Sequence, residues 1–434
     1  MRPVPTRSED EPSRAGRPAP PAGRGLGRAG LALLAVFALC YLAFGVHVSW
    51  RRLSDGPGDF GVFYQAGRAL LEGRSPYTVT GFLYPPPGAF LFAPFAALPF
   101  RTARLAWFVV GQLALLAAAA GTWRWLGGGG AALLAVGAVW GLGGPVVEEN
   151  LFLGQLQPLL LALIAFALWQ LDRRPRTAGA LIGLTAALKV WPAGLLLPLI
   201  ARRRRRAAVA ARAVGAATVA VPLLALAAFR PPPLRPADGL FLAGSPAPLN
   251  LSLPAVALRV TDPPRSESLP VLPLAWRQGS HPARLRLPPS RRALAVAVAL
   301  AVLVLGGTAM ARTLRALPPG RGDGHVLAAT VSILLVASPI SWFHYQLLQF
   351  PGLALLGRSA LRRRSAAAML GLAGLLLGLT WTRWLGAWWS AWFGMPMASK
   401  PVPLWLFTTA TPVLSLVLAG WLLREARRDT ATAG

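Results

Sequence analysis

The sequence predicts an all-α, polytopic membrane protein with ten to twelve transmembrane helices and an amphipathic helix in the first outer loop. Three observations carry that prediction. Of 434 residues, 55% are hydrophobic and only 14% charged. Mean hydropathy is +0.51 while the formal net charge is +29. Apolar runs of 13 to 24 residues recur from Gly30 to Leu423, and about 20 apolar residues suffice to cross a hydrocarbon core of about 30 Å. Arginine clusters punctuate the runs.

A soluble protein with this charge would be read as a nucleic-acid binder, but such proteins are not this apolar, so no nucleic-acid partner is expected. Among the basic residues only Lys189 and Lys400 are lysines. That preference, with abundant Ala, Gly and Pro, reflects a GC-rich bacterial genome rather than arginine chemistry. The single cysteine, Cys40, lies in an apolar run, which excludes a disulfide framework and a cysteine-rich metal site. His47, His281, His325 and His344 are scattered with no pair at i, i+4, so zinc has no support and no cofactor is expected.

Residues 1–29 hold six arginines among Pro and Gly and read as a disordered cytoplasmic tail. The 30–48 run is followed by Trp50-Arg51-Arg52 and no small-residue cleavage site, so it reads as an uncleaved first span. Further apolar segments follow at 87–100, 105–122, 131–147, 156–171, 177–200, 207–229, 291–311, 326–342, 345–357, 366–385 and 401–423. The short 87–100 and 345–357 leave tilted, re-entrant or longer elements open. One transmembrane domain thus runs over 30–424, with a second cytoplasmic tail at 425–434.

Arginines cluster at Arg101/Arg104, Arg173 to Arg176, Arg202 to Arg206, Arg312 to Arg321, Arg358 to Arg364 and Arg424 to Arg428. The positive-inside rule puts these in the cytoplasm. It leaves 49–86, 148–155, 230–290, 338–346 and 386–400 outside. One conflict arises, because Arg176 and Arg202 flank a single apolar stretch yet both read as cytoplasmic. Two half-helices meeting at Lys189-Val190-Trp191-Pro192 would resolve it, since broken helices are tolerated where they line a cavity. A misassigned 131–155 would resolve it equally.

The outer segments hold the unusual residues. Asp59 follows a Gly/Pro turn and precedes a helix of roughly 60–72, either as a plain N-cap or as a functional carboxylate. Tyr84, ahead of Pro85-Pro86-Pro87, is either an interfacial belt residue or part of a site. Glu148-Glu149-Asn150 and Gly154-Gln155-Leu156-Gln157 interrupt two apolar runs, where carboxylates are costly unless they face water or a partner. Lys189, twelve residues into an apolar run, must snorkel, pair or line a cavity. Ser338-Pro339-Ile340-Ser341-Trp342-Phe343-His344-Tyr345-Gln346 is a polar, aromatic break whose histidine is either an interfacial hydrogen-bonder or a catalyst. The 230–290 stretch holds 14 prolines and the formal sequon Asn250-Leu251-Ser252, which carries no weight here.

In this order the pieces resemble glycosyltransferase family 87, the polyprenyl-phosphate-mannose-dependent mannosyltransferases of the GT-C superfamily. Its opening block is matched by Asp59-Phe60, Tyr64, Ala66, Leu70-Leu71, Gly73 and Pro76-Tyr77, and its Tyr-Pro-Pro by Tyr84-Pro85-Pro86 with Pro94. Its Gly-Gln-x-Asn/Gln resembles Gly154 to Gln157, its Gly-x-x-x-Ala-x-x-Lys-x-x-Pro resembles Gly183 to Pro192, and its late block is matched by Ser338 to Tyr345. Asn250, Ser252 and Arg259 resemble a weaker Asn-x-Ser…Arg element.

The resemblance implies a GT-C fold in the cell membrane, with the active site facing outward and 49–86 as the catalytic loop. It implies a polyprenyl-phosphate-linked sugar donor and a glycolipid or glycan acceptor in the lipid bilayer. By inverting displacement, Asp59 would take the proton of the acceptor hydroxyl, and His344 and Lys189, with Arg259 behind them, would stabilise the departing phosphate. Tyr64, Tyr84, Gln155, Glu149 and Asn250 complete the implied donor- and acceptor-binding set. Two rivals remain at this level, a lipid-linked pentose transferase of the same fold and a polytopic transporter or lipid flippase.

Overall fold

The computed structural model describes residues 56, 58–227, 250–261, 288–318, 320–381 and 401–431. The expected tail 1–29, the first span 30–48, most of 230–290 and the segment 386–400 lie outside these residues. The described chain is helical, with no strand and one isolated bridge, Asn250 to Trp342.

In chain order the helices are α1 (Gly58–Leu71), α2 (Pro86–Ala96), α3 (Phe100–Trp125), α4 (Gly129–Leu142), α5 (Gly144–Leu153), α6 (Gln157–Gln170), α7 (Pro175–Leu188), α8 (Leu196–Ala201), α9 (Arg205–Ala227), α10 (Leu253–Thr261), α11 (Pro289–Ala316), α12 (Asp323–Ala337), α13 (Phe350–Arg363), α14 (Ala366–Thr380) and α15 (Pro401–Ala431). Short 3₁₀ turns cover Pro76–Thr78, Trp191–Leu195 and Phe343–Gln349. Proline sets many starts: Pro158, Pro175, Pro289 and Pro351 stand at the first or second positions of α6, α7, α11 and α13. There its fixed φ suits the helix and its missing N–H costs nothing.

Among the described residues α3, α9 and α11 are long and apolar enough to cross a membrane, and α4 with α5, bent by 60°, forms a fourth such unit. Shorter apolar helices, including α6, α12 and α14, pack among them.

The ends of α3, ~39 Å apart at 1.5 Å per residue, define two ends of the bundle. Near its start Arg104 donates to the carbonyls of Gly56 and Phe152. Just past its other end Leu126 accepts from Arg358. The arginine clusters gather at that second end. Asp323 is held by Arg202 at 2.6 Å and Arg204 at 2.7 Å, and Arg204 also reaches Asp172 at 2.5 Å. Arg202 donates on to the Leu314 carbonyl, Arg427 to Thr313, and Arg363 pairs with Glu425 at 2.7 Å. Glu425 is buried because α15 runs on to Ala431, so residues expected in a tail belong to the bundle.

Arg104 departs from the sequence expectation, which grouped it with those clusters. The 87–100 run folds as α2, 11 residues and ~16 Å long, too short to carry the chain across. Tyr64, in α1, donates to the Leu98 carbonyl at 2.9 Å, so α1, α2 and the start of α3 share one end.

The parity conflict is settled by a hairpin. From beside Asp172, α7 runs to Leu188. Lys189 is extended (φ −150°, ψ 127°), and Trp191–Ala201 returns to Arg202 and Arg204, at the end where α7 began. Next, α9 sets off alongside α7. Gly179 and Gly183 of α7 face the backbone of Ala207 and Ala211, where any Cβ would collide with those carbonyls. The pairs 179/207 and 183/211 advance together, so α7 and α9 run parallel at backbone contact.

Candidate functional site

The apex of that hairpin meets the segment before α2, the turn between α5 and α6, and the 3₁₀ turn after α12. Lys189 Nζ donates to the Tyr84 hydroxyl at 3.4 Å, Tyr84 donates to Gln155 Oε1 at 3.2 Å, and Gln155 Nε2 donates to Asp59 Oδ2. This is a directional relay from an ammonium to a carboxylate across four separate segments of the chain. The Lys189 ammonium also lies 3.6 Å from the centroid of the Tyr345 ring, whose edge meets the His344 ring at 4.9 Å between centroids.

Each member is aimed by local structure. Asp59 stands in the first turn of α1, yet its carboxylate does not cap that helix, being bound by Gln155 from 96 residues away. Gln155 follows Gly154, whose left-handed φ of 68° ends α5, a conformation glycine adopts without strain. Trp107 fixes that turn from α3 by donating to the Gly154 carbonyl at 2.9 Å. Tyr84 is held by the T-shaped Phe63 ring at 4.9 Å, part of an aromatic cluster in which Phe63 stacks on Phe92 at 4.7 Å and Phe92 meets Trp107 at 4.5 Å.

Two asparagines hold the His344 turn through its backbone. Asn250 donates to the Pro339 carbonyl at 2.9 Å and accepts from the Ser341 N–H at 2.8 Å, while Leu251 N donates to the Ser341 carbonyl at 2.7 Å. On the other side Asn150 donates to the His344 carbonyl at 2.8 Å.

The electrostatics divide the roles. Burial, then the nearby Glu149, pushes the Asp59 carboxyl up to about 7, against the opposing pull of Lys189 and Gln155. Burial and then the Lys189 charge hold His344 well below its usual range, so its imidazole is neutral at pH 7. Burial keeps Tyr84 a phenol. Asp59 Oδ1 and His344 Nε2 are buried with no hydrogen-bond partner among the described residues. A carboxyl group that titrates near neutrality, linked through two side chains to a lysine and near a neutral imidazole, has the chemistry to exchange protons and to face an anion.

Of the residues picked out in the sequence, Asp59, Tyr84, Gln155, Lys189 and His344 come together, with Glu149 acting electrostatically on Asp59. Asn250 serves the turn rather than facing the relay. Tyr64 packs at 5.2 Å against Phe100 in the aromatic cluster and bonds Leu98 rather than a member of the relay. The side chain of Arg259 lies outside the description. Tyr345, Arg104 and Trp107 were missed as contributors, and Asn150 was noted only as part of a polar interruption. Tyr345 had a signal, an aromatic beside a polar break that must face some intramembrane cation, whereas the other three act through backbone carbonyls that no side-chain pattern reveals.

Apolar helices built around an internal set of linked ionisable groups define a membrane protein with a buried polar cluster, the arrangement in which intramembrane charges mark function. A family model described as glycosyltransferase family 87 matches residues 82–339. The chain is 30% identical over 405 residues to a "Polyprenol-phosphate-mannose-dependent alpha-(1-2)-phosphatidylinositol mannoside mannosyltransferase" of Mycobacterium tuberculosis, covering 84% of this chain and 85% of that one. A relative of the same description from Mycolicibacterium smegmatis is 31% identical over 397 residues, covering 83% of each chain. The chain belongs to glycosyltransferase family 87, and it is a membrane glycosyltransferase. Asp59 and His344 fall outside the matched range 82–339, while Tyr84, Glu149, Gln155 and Lys189 fall within it.

Proposed function

We propose that this protein is a multi-pass, bacterial cell-membrane mannosyltransferase that moves mannose from a polyprenyl phosphate to a hydroxyl of a phosphatidylinositol-mannoside-type glycolipid on the outer leaflet. The names of the two mycobacterial relatives support the donor and acceptor classes. The observation that carries the mechanism is the relay from Lys189 through Tyr84 and Gln155 to an Asp59 that titrates at about 7. A general base works best with a pKa near the operating pH.

In the reaction the acceptor O–H breaks and its proton passes to Asp59. The acceptor oxygen bonds C1 of mannose as the C1–O bond to phosphate breaks, and that electron pair leaves on the polyprenyl phosphate. The growing phosphate charge meets the Lys189 ammonium and the His344 N–H. One direct displacement turns a β-linked mannosyl phosphate into an α-mannoside. The sidedness follows from the arginine clusters, which gather at the end opposite Arg104 and, by the positive-inside rule, face the cytoplasm. The site then faces outward within a multi-pass bundle.

The test is transfer from radiolabelled polyprenyl-phosphate mannose to phosphatidylinositol mannosides by protein purified in detergent. Asp59→Asn should lower turnover by about 10²–10⁴. Full turnover by that variant removes Asp59 as the base, and no use of the donor by wild type removes the donor assignment. A cysteine at position 59 should react with a membrane-impermeant thiol reagent in intact cells and one at 203 should not. The reverse pattern inverts the model.

A further inference from the structure

Gln157 opens α6 wholly buried, at 0% exposure, and neither its Nε2 nor its Oε1 has a hydrogen-bond partner among the described residues. A carboxamide brings two donors and an acceptor with two lone pairs, and burying it unpaired is strongly unfavourable. It does not cap its helix, since α6 has no side-chain cap. Asn150 shows half of the same condition. Its Nδ2 donates to the Val146 and His344 carbonyls, both at 2.8 Å, which fixes the orientation of the amide and leaves Oδ1 buried and unpaired in a side chain 1% exposed.

Both residues flank the reactive groups. Gln157 is two residues past Gln155, the direct partner of Asp59, and Asn150 accepts at its backbone carbonyl from Gln155 N at 2.9 Å. The helices that carry them, α5 and α6, both pack against the 3₁₀ turn Phe343–Gln349 that holds His344. Asp59 Oδ1 and His344 Nε2 are unpaired in the same region.

The chemistry of these atoms selects the ligand. A phosphate offers acceptors alone and would be met by donors alone. An acyl chain would be met by apolar side chains. Asn150 Oδ1 is an acceptor and Gln157 is both, which suits hydroxyl groups that donate and accept together. Sites built to bond a substrate hydroxyl hold polar groups that only the correct substrate satisfies.

We propose that Gln157, with Asn150 Oδ1, binds hydroxyls of the sugar being transferred and so sets which lipid-linked sugar the enzyme accepts. This rests on the transfer reaction proposed above and adds a sugar subsite to it.

The experiment compares wild type with Gln157→Leu on polyprenyl-phosphate mannose and on its monodeoxy-mannosyl counterparts, alongside thermal midpoints in detergent. With the parent donor, kcat/KM should fall about tenfold or more, the loss of one good hydrogen bond, while the midpoint holds or rises because an unpaired amide has been removed. For the donor lacking the hydroxyl that Gln157 binds, the two proteins should agree within about twofold, as a double-mutant cycle requires. Activity of Gln157→Leu within about twofold of wild type on the parent donor overturns the proposal. So does a lowered midpoint with the same deficit on every deoxy donor, which marks a purely structural residue. If Gln157→Leu does not fold, Gln157→Met, unbranched and of similar length, carries the comparison. Wild type that turns over no lipid-linked mannose refutes the transfer reaction itself, a result distinct from an active wild type with an equally active variant.

Discussion

The ammonium of Lys189 lies 3.6 Å from the centroid of the Tyr345 ring and 5.2 Å from that of Tyr84, the same residue whose hydroxyl it bonds. A charge this deep is held by two aromatic faces and one phenol oxygen, and through Tyr84 it is tied to the Asp59 relay. A desolvated cation over a ring gains about 2 kcal/mol. Tyr345→Phe keeps the face and should retain most activity, while Tyr345→Leu should lower kcat/KM about 10- to 30-fold. Equal activity of the Phe and Leu variants would dissolve the aromatic seat.

Lys189→Arg should fail where charge alone would predict rescue. A guanidinium is planar and forked, whereas the seat fits a compact point charge. Both Lys189→Arg and Lys189→Met should lose about 10²–10³ in kcat, the scale for removing one preorganised group from a developing anion. Single-turnover rates decide this, and an Arg variant at wild-type speed would show that only the charge matters.

Asp59 gives activity and stability opposite slopes against pH. Its carboxyl titrates at about 7 in the fold against an ordinary 3.8, and only the carboxylate can take a proton. Activity should therefore rise with pH and reach half its plateau near 7. Because the folded state holds the proton more tightly than the unfolded chain, the contribution to stability is full below about 4 and is lost as pH climbs to about 7. Thermal midpoints should fall over that window in wild type and stay level in Asp59→Asn. A parallel fall in the Asn variant would assign the slope to another group.

Gly183→Ala should destabilise although alanine is the better helix former. Its Cβ would collide with the Ala211 carbonyl of the parallel α9, and forcing the pair apart costs about 1–3 kcal/mol while displacing the Lys189 apex. Gly374, also in a helix but with nothing within 4 Å of a built Cβ, serves as the control. There alanine should gain about 0.5–1 kcal/mol from propensity. Detergent melting curves and turnover of the two variants make the comparison.

At the arginine end, Asp323→Asn should cost about 3–5 kcal/mol, because it strips the carboxylate from a buried pair. Arg202 and Asp323 are 9% and 5% exposed. Glu72→Gln, which breaks a surface pair with Arg68 exposed at 52% and 41%, should cost less than about 1 kcal/mol. Similar losses for both would mean that the Asp323 cluster is far wetter than its burial implies.

Much of this was legible before any coordinates. Apolar run lengths marked the helices, and the paired arginines at 176 and 202 with Lys189-Val190-Trp191-Pro192 between them made a broken hairpin one of two resolutions, a misassigned 131–155 being the other, because an odd crossing contradicted both ends. The polar interruptions Asp59, Glu149, Gln155, Lys189 and His344 were conspicuous for the same reason, being expensive in an apolar chain. What remained hidden depends on pairings across long separations. Arg104 looks like any loop arginine until α2 proves too short to cross. Asn250 looks like a ligand until its amide is seen bound to the Pro339 and Ser341 backbone. The parallel contact of α7 with α9 follows from glycines whose partners, 28 residues on, no local pattern identifies.

The hairpin Pro175–Ala201 enters and leaves at one end, so it is neutral in the count that decides the side of every later helix. Lengthening, shortening or replacing it changes how deep its lysine is carried and inverts nothing downstream. Depth of the charge and handedness of the insertion are thereby independent variables in this fold.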